Sequence, residues 1–170
     1  MVEKIVKGFI GLFSGITTMA LGKEIIVFVI SLMPILELRG GLLAASLLGL
    51  DPVTSYIISV IGNILPVPFI LWFMGSILKW MRTSKHFKKI ATWLDKKVDS
   101  KKEQIEKYGF WGLVIFVGIP LPGTGAWTGC LIASVLEMDR KKAFAATCLG
   151  VLMASIIMML LSFGLLKAII

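Results

Sequence analysis

A weak internal repeat constrains this chain more than any single motif does. Six residues recur 88 positions later: Gly41, Ala45, Ser46, Leu48, Asp51 and Gly62 return as Gly129, Ala133, Ser134, Leu136, Asp139 and Gly150. Each copy follows an apolar stretch broken by proline and glycine, from Met33 to Gly41 and from Pro120 to Gly125. Duplicated, broken apolar elements are typical of transporters that bind substrate at mid-membrane depth. The repeat therefore predicts a membrane transport protein.

The composition predicts an all-α integral membrane protein with a single domain over 1–170. Of the 170 residues, 57% are hydrophobic and 16% are charged, which is far from the average of soluble domains. The formal charge is +8, and ten of the 18 basic residues lie between Lys79 and Lys107. The positive-inside rule explains that cluster and places 79–107 in the cytoplasm, so nucleic acid is not the expected partner.

Four segments follow from the hydropathy pattern. They are an N-terminal helix (1–22), a first repeat half (23–81), a basic amphipathic linker helix that rests on anionic headgroups (82–107), and a second repeat half (108–170). The apolar run over 5–21 is interpreted as a retained helix, because it lacks a small-residue cleavage site. Whether that helix spans the membrane is left open.

Each half is predicted to hold a re-entrant helical hairpin followed by a transmembrane helix. Residues 25–50 and 108–138 are each broken near the middle, and a piece of about ten residues is too short to cross roughly 30 Å of hydrocarbon. Asp51 and Asp139 are expected to cap helices that run to Trp80 and Lys167, and the first of these helices is expected to kink near Asn63, Pro66 and Pro68. Counting the crossings gives the halves opposite orientations, that is, an inverted repeat.

Glu37 and Arg39 are the candidate functional pair of the first hairpin. Ionisable residues at membrane depth are expensive and are usually paired, hydrated or functional. We expect Arg39, with the backbone amides around Gly40 and Gly41, to bind an anionic group, and Glu37 to couple transport to protons. The alternative is a structural or interfacial ion pair.

The second hairpin is predicted to supply further substrate contacts. Two prolines and three glycines leave its backbone groups free for a ligand, and hydroxyl and indole groups lie beside them. Tight helix packing through small residues is the alternative. The candidate contacts are Pro122, Gly123, Thr124, Gly125, Trp127 and Thr128.

No enzymatic signature accompanies these segments. The single histidine, His86, lies in the basic linker, and the sequence has no nucleophile and base set, no metal-ligand cluster and no phosphate-binding loop. Cys130 and Cys148 lie in apolar segments and are expected to be buried free thiols. Neither a cofactor nor a metal is predicted.

The two broken segments also carry a family resemblance. The run Glu37-Leu38-Arg39-Gly40-Gly41 after Pro34, together with the run from Pro120 to Gly129, resembles the bacterial small multidrug export proteins. That family is similar to a distant branch of the DedA superfamily, whose members have two opposed re-entrant hairpins and move undecaprenyl phosphate or other phospholipids. The resemblance implies a location in the bacterial inner membrane, an Arg39–phosphate contact and a proton role for Glu37. In this chain the second hairpin lacks the acidic and arginine residues of the better-known DedA motifs.

Three functions compete at this point. The first is a proton-coupled flippase of an anionic lipid such as undecaprenyl phosphate, and the second is efflux of small cationic or hydrophobic drugs. The third is a membrane scaffold that binds a partner through the basic linker. A homodimer that completes the structure is also compatible with two copies of a short repeat.

Overall fold

A computed structural model of the chain describes residues 2–13, 15, 21–83, 92, 108–121 and 123–165. All regular elements in these ranges are helical. They are α1 (Val2–Leu12), α2 (Gly22–Leu32), α3 (Glu37–Leu47), α4 (Pro52–Ile64), α5 (Val67–Thr83), α6 (described over Tyr108–Gly118), α7 (Ala126–Val135) and α8 (Arg140–Met159), which continues as a π-helix over Leu160–Leu165.

The chain forms two compact units. The first unit comprises Met1–Leu65 and Val151–Ile170, and the second comprises Pro66–Gly150. In the first unit, α2, α3 and α4 pack on one another and α1 packs on α3. Its core is formed by Val6, Ile26, Val27, Ile30, Leu36, Ala44 and Ala45. In the second unit, α5 packs against α7.

One side chain in each unit lies between two closely packed glycines. In the first unit, a Cβ atom on Gly41 would collide with Ser31, and one on Gly62 would lie 3.0 Å from the Ser31 Cβ atom. In the second unit, Cβ atoms on Gly129 and Gly150 would each lie 2.6 Å from a carbon of Val117. Helices approach this closely because glycine has no side chain, so the same packing arrangement recurs in both units.

Helices α3 and α7 end in the same hydrogen-bonded motif. Gly49 and Glu137 both adopt left-handed backbone, with φ values of 67° and 52°. The amides of the residues that follow them, Leu50 and Met138, donate to the carbonyls of Ala45 and Ala133 at 3.0 Å. This is a Schellman C-cap, whose left-handed position favours glycine. Glu137 occupies this left-handed position although its Cβ atom makes that conformation less favourable than it is for glycine.

Aspartates cap the next helices, as the sequence predicts. The Thr54 amide donates to Asp51 Oδ2 at 2.9 Å, and the Lys142 amide donates to Asp139 Oδ1 at 3.0 Å. Both bonds join the cap to the third residue of the helix, one of the two positions whose amides an N-cap side chain satisfies. The hydrogen bonds from Thr54 lower the pKa of the Asp51 carboxyl below its ordinary value.

Other predicted elements have mixed outcomes. The break in 25–50 is confirmed as Met33–Leu36 between α2 and α3, and that in 108–138 as residues 119–125 between α6 and α7. The N-terminal helix is described over Val2–Leu12, and the rest of the predicted run to residue 21 lies largely outside the described residues. The helix after Asp51 is interrupted at residues 65–66, where Pro66 has no amide hydrogen. The basic linker lies outside the described residues, apart from its first two positions and residue 92. Cys130 and Cys148 are free thiols, the first buried and the second half-buried.

Glu137→Gly is expected to stabilise the protein by about 1 kcal/mol, because glycine adopts left-handed backbone without the penalty of a Cβ atom. The reverse change at the equivalent position, Gly49→Ala, has open space around it and is expected to cost about the same through backbone strain alone. Thermal unfolding of the detergent-solubilised variants measures both. A loss of stability in Glu137→Gly would contradict the assignment.

Asp51→Ala is expected to lower the thermal stability, whereas Asp51→Asn retains the cap, because an amide oxygen also accepts from the Thr54 amide. Since the pKa of Asp51 is lowered in the folded state, its ionised form stabilises the fold above the unfolded pKa. That stabilisation is lost as the pH falls from about 5 through the lowered pKa. Melting curves between pH 3 and 7 should show a shallower acid loss in Asp51→Asn, and equal acid slopes would refute this linkage.

Candidate functional site

Glu37 and Arg39 lie at the start of α3, directly after the first break. Glu37 is 5% exposed and adopts φ 50°, a left-handed conformation that is unusual for a side chain of its size. Its amide donates to the Met33 carbonyl at 2.9 Å, which closes the turn of the break. Arg39 is partly buried and interacts electrostatically with Glu37. The structure thus places Glu37 and Arg39 within the first turn of α3, a helix packed inside the first unit.

Gly40 and Gly41 lie in helix contacts. A Cβ atom on Gly40 would lie 2.6 Å from Leu36 Cβ, and the Gly40 amide donates to the Leu36 carbonyl at 2.8 Å. Gly41 faces Ser31 and Ser59. The Gly40 amide is therefore engaged within the helix, which leaves the Arg39 side chain as the better candidate for an anion contact.

In the second broken segment, backbone turns and one hydroxyl organise the chain. Gly123 and Gly125 have φ values of 83° and 137°, and Gly125 is the N-cap residue of α7. The hydroxyl of Thr124 accepts from the Leu121 amide at 3.2 Å and lies 2.8 Å from the carbonyl oxygens of Ile119 and Leu121, toward which it donates. Gly125 lies 88 positions after Glu37, and both residues have positive φ values. A residue of positive φ therefore stands at the start of the helix that follows each break.

The remaining predicted contacts have simpler positions. Trp127 and Thr128 are half-buried in the first turn of α7. Pro122 lies outside the described residues. The substrate roles of this segment stay predictions.

A buried polar row lies along α4. Ser55, Ser59 and Asn63 follow one another at four-residue spacing and are 0%, 0% and 2% exposed. The four-residue spacing of polar side chains in an apolar helix is the signal that identifies the complete row.

The second unit contains a cavity of about 270 Å³. Its walls are mostly apolar, and two cations from the first turn of α8 lie among them. This combination suits an amphipathic molecule with a negative group. The lining residues are Pro68, Leu71, Trp72, Arg140, Lys141 and Phe144.

Two helical stretches are long and apolar enough to cross a membrane. They are Pro52–Ile77 and Arg140–Gly164, with mean hydropathies of 2.1 and 2.4. Only 33% of each 18-residue window is buried inside the protein, whereas the core helix of a soluble protein is mostly buried. Large apolar side chains such as Trp72 and Leu160, 65% and 67% exposed, cover the remainder. Lipid is the environment that such a surface requires.

A comparison with protein families agrees with this conclusion. The profile of the family described as "Putative small multi-drug export protein" matches residues 37–157, which begin at Glu37, directly after the first break, and include the second broken segment. The chain belongs to this family. No curated protein and no solved structure matches the chain at a significant level.

Thr124→Val is expected to destabilise the protein by about 1 kcal/mol, because the loop loses the hydroxyl that bonds to Ile119 and Leu121. Thr124→Ser, which keeps a hydroxyl, should restore most of the stability. Thr128→Val, one turn into α7, is the matched control. Thermal unfolding in detergent measures all three, and equal effects of the two valine variants would exclude the structural role of Thr124.

Proposed function

We propose that this family member is a secondary transporter that moves an anionic amphipathic solute, with a lipid phosphate as the leading candidate. The observation that carries the proposal is the Glu37–Arg39 pair, held in the first unit at a break between two helices. A charge pair in such a position requires a compensating environment or a function. Arg39 offers a planar, permanently charged group that suits phosphate, and Glu37 offers a carboxylate that can exchange a proton.

Helix lengths favour re-entrant hairpins. α2 and α3 have 11 residues each, about 16 Å at 1.5 Å per residue, and they pack on each other. Either helix alone therefore covers about half of a hydrocarbon core of roughly 30 Å. We propose that the chain turns back at the first break, and that the segment from α6 to α7 does the same in the opposite orientation.

The amphipathic character of the proposed solute is supported by the cavity in the second unit. Apolar walls beside Arg140 and Lys141 provide complementary surfaces for an acyl chain and a phosphate. Anionic phospholipids have both features. We propose that such a molecule binds in this cavity.

Efflux of small cationic or hydrophobic drugs is the second candidate, and the family description favours it. In that version Glu37 attracts the drug and Arg39 opposes it. The two versions therefore assign opposite importance to the two charges, which makes them separable by mutation.

The test uses protein reconstituted in vesicles, with a fluorescent short-chain phosphatidic acid as one probe and ethidium as the other. For lipid translocation we expect Arg39→Ala to reduce the initial rate at least tenfold and Arg39→Lys to retain an intermediate rate. Glu37→Gln should change the pH dependence of that rate. Dithionite quenching of the label on the outer leaflet measures the translocation.

Lys7→Ala removes an exposed cation of α1 and serves as the charge control, with an unchanged rate. If Glu37→Gln abolishes ethidium transport while Arg39→Ala preserves it, the drug version replaces the lipid version. If neither substitution affects either probe, the pair is structural and the proposed site is wrong.

A further inference from the structure

Buried oxygen atoms from two helices meet beside Gly41 in the first unit. Ser31 on α2 and Ser59 on α4 are both fully buried, and Asn63 on α4 is 2% exposed. Within the described residues, the Ser59 Oγ and Asn63 Oδ1 atoms have no hydrogen-bond partner. Leaving such atoms unpaired in an apolar interior is unfavourable, so their burial requires an explanation.

Contacts at Gly41 show that the hydroxyls converge. A Cβ atom at this glycine would collide with Ser31 Oγ and lie 3.0 Å from Ser59 Oγ. Both oxygens therefore approach the same point on α3. Gly62 holds α4 against α2 at the same level, because its Cβ atom would lie 3.0 Å from Ser31 Cβ.

Helix spacing extends this cluster to Glu37 and Asn63. Helices α3 and α4 are joined by the short connection 48–51 and pack on each other, so they run in opposite directions. Glu37 lies one turn before Gly41 on α3, and Asn63 lies one turn after Ser59 on α4. The Gly41–Ser59 contact thus places Glu37 and Asn63 at the same height along the two helices.

The chemistry of the cluster favours a cation. Ser31 Oγ donates its hydrogen to the Val27 carbonyl at 2.8 Å, so only its lone pairs remain for another partner. Asn63 Oδ1 is an acceptor, and Glu37 contributes one negative charge. Neutral oxygens with a single carboxylate suit a monovalent ion. Among the described residues, no group of three or more His, Cys, Asp or Glu residues suits a transition metal.

The second copy of the repeat shows that this packing does not require polar side chains. Eighty-eight positions after Ser55, Ser59 and Asn63 stand Ala143, Thr147 and Val151. The residue between the two glycines is Val117 instead of Ser31. The same close contact is thus made with mostly apolar groups, which leaves the oxygens of the first unit for another role.

We propose that Glu37, Ser31, Ser59 and Asn63 bind a monovalent alkali cation, with Na⁺ as the preferred ion. The site is a property of the first unit, and only its role in coupling rests on the proposed function. Arg39 interacts with Glu37 and so competes with the ion for the carboxylate. A phosphate bound to Arg39 weakens this competition for the carboxylate. Anion and cation then favour each other's binding, and linkage makes this effect reciprocal.

The test measures thermal unfolding of the purified protein at pH 8 in NaCl or choline chloride of equal ionic strength. Saturating Na⁺ is expected to raise the apparent Tm of the wild type by about 5 °C, because the ion binds the folded state. Ser59→Ala and Asn63→Ala should each weaken Na⁺ binding and so raise the midpoint Na⁺ concentration at least tenfold. The response is taken as the difference between the two salts for each variant, so a lower starting Tm does not affect it.

Ser55→Ala is the matched control. Ser55 lies one turn from Ser59 on the same row and is equally buried, but its Oγ already donates to the Asp51 carbonyl at 2.7 Å. The same substitution there should leave the Na⁺ midpoint unchanged. A loss of the response in Ser55→Ala equal to that in Ser59→Ala would overturn the proposal, because it would show a general packing effect.

Other outcomes separate this site from the transport proposal. If the wild type responds to none of Na⁺, Li⁺ and K⁺, the cation site is refuted, even where Arg39→Ala abolishes lipid translocation. If Ser59→Ala and Asn63→Ala both retain the full response, the site is also refuted. A Na⁺ response that both variants lose supports the site, even where no probe is transported.

Discussion

The closest approach of the helices, at two glycines in each unit, is the constraint on which the rest of the structure depends. Ser31 in the first unit and Val117 in the second each lie between a glycine on the following short helix and a glycine on the longer helix after it. Because these glycines have no Cβ atom, three helices can converge on one side chain. This contact holds together the helices on either side of the preceding break.

The two units use this common packing differently. In the second unit the central residue is apolar, and the polar atoms nearby, the Thr147 hydroxyl and the Cys130 thiol, lie 3.7 Å apart. In the first unit the central residue is a serine, and a carboxylate, an amide and a second hydroxyl lie on the adjoining helix turns. Polar chemistry is thus concentrated in one copy of a duplicated scaffold. A transporter with one charged site and one mostly apolar counterpart is consistent with this asymmetry.

Local sequence signals predicted the helix breaks and the two aspartate caps, because proline, glycine and aspartate act on their own or adjacent backbone groups. The left-handed Glu137 was not predicted, although the 88-residue repeat relates it to Gly49. The correspondence between Ser31 and Val117 was also missed, because these residues are separated by 86 positions rather than 88. The spacing from Val117 to Gly129 is two residues longer than that from Ser31 to Gly41, so the helices before the breaks are displaced in the alignment of the halves.

By itself, the sequence determined the membrane class, the broken helices and the identity of the charged pair, since these depend on composition and on neighbours along the chain. Only the tertiary structure decided which polar side chains converge. Ser31 and Ser59 are 28 positions apart, and neither is unusual in an apolar helix. They meet because two glycines allow α2, α3 and α4 to approach closely, and the choice of facing helix surfaces is made by packing in three dimensions.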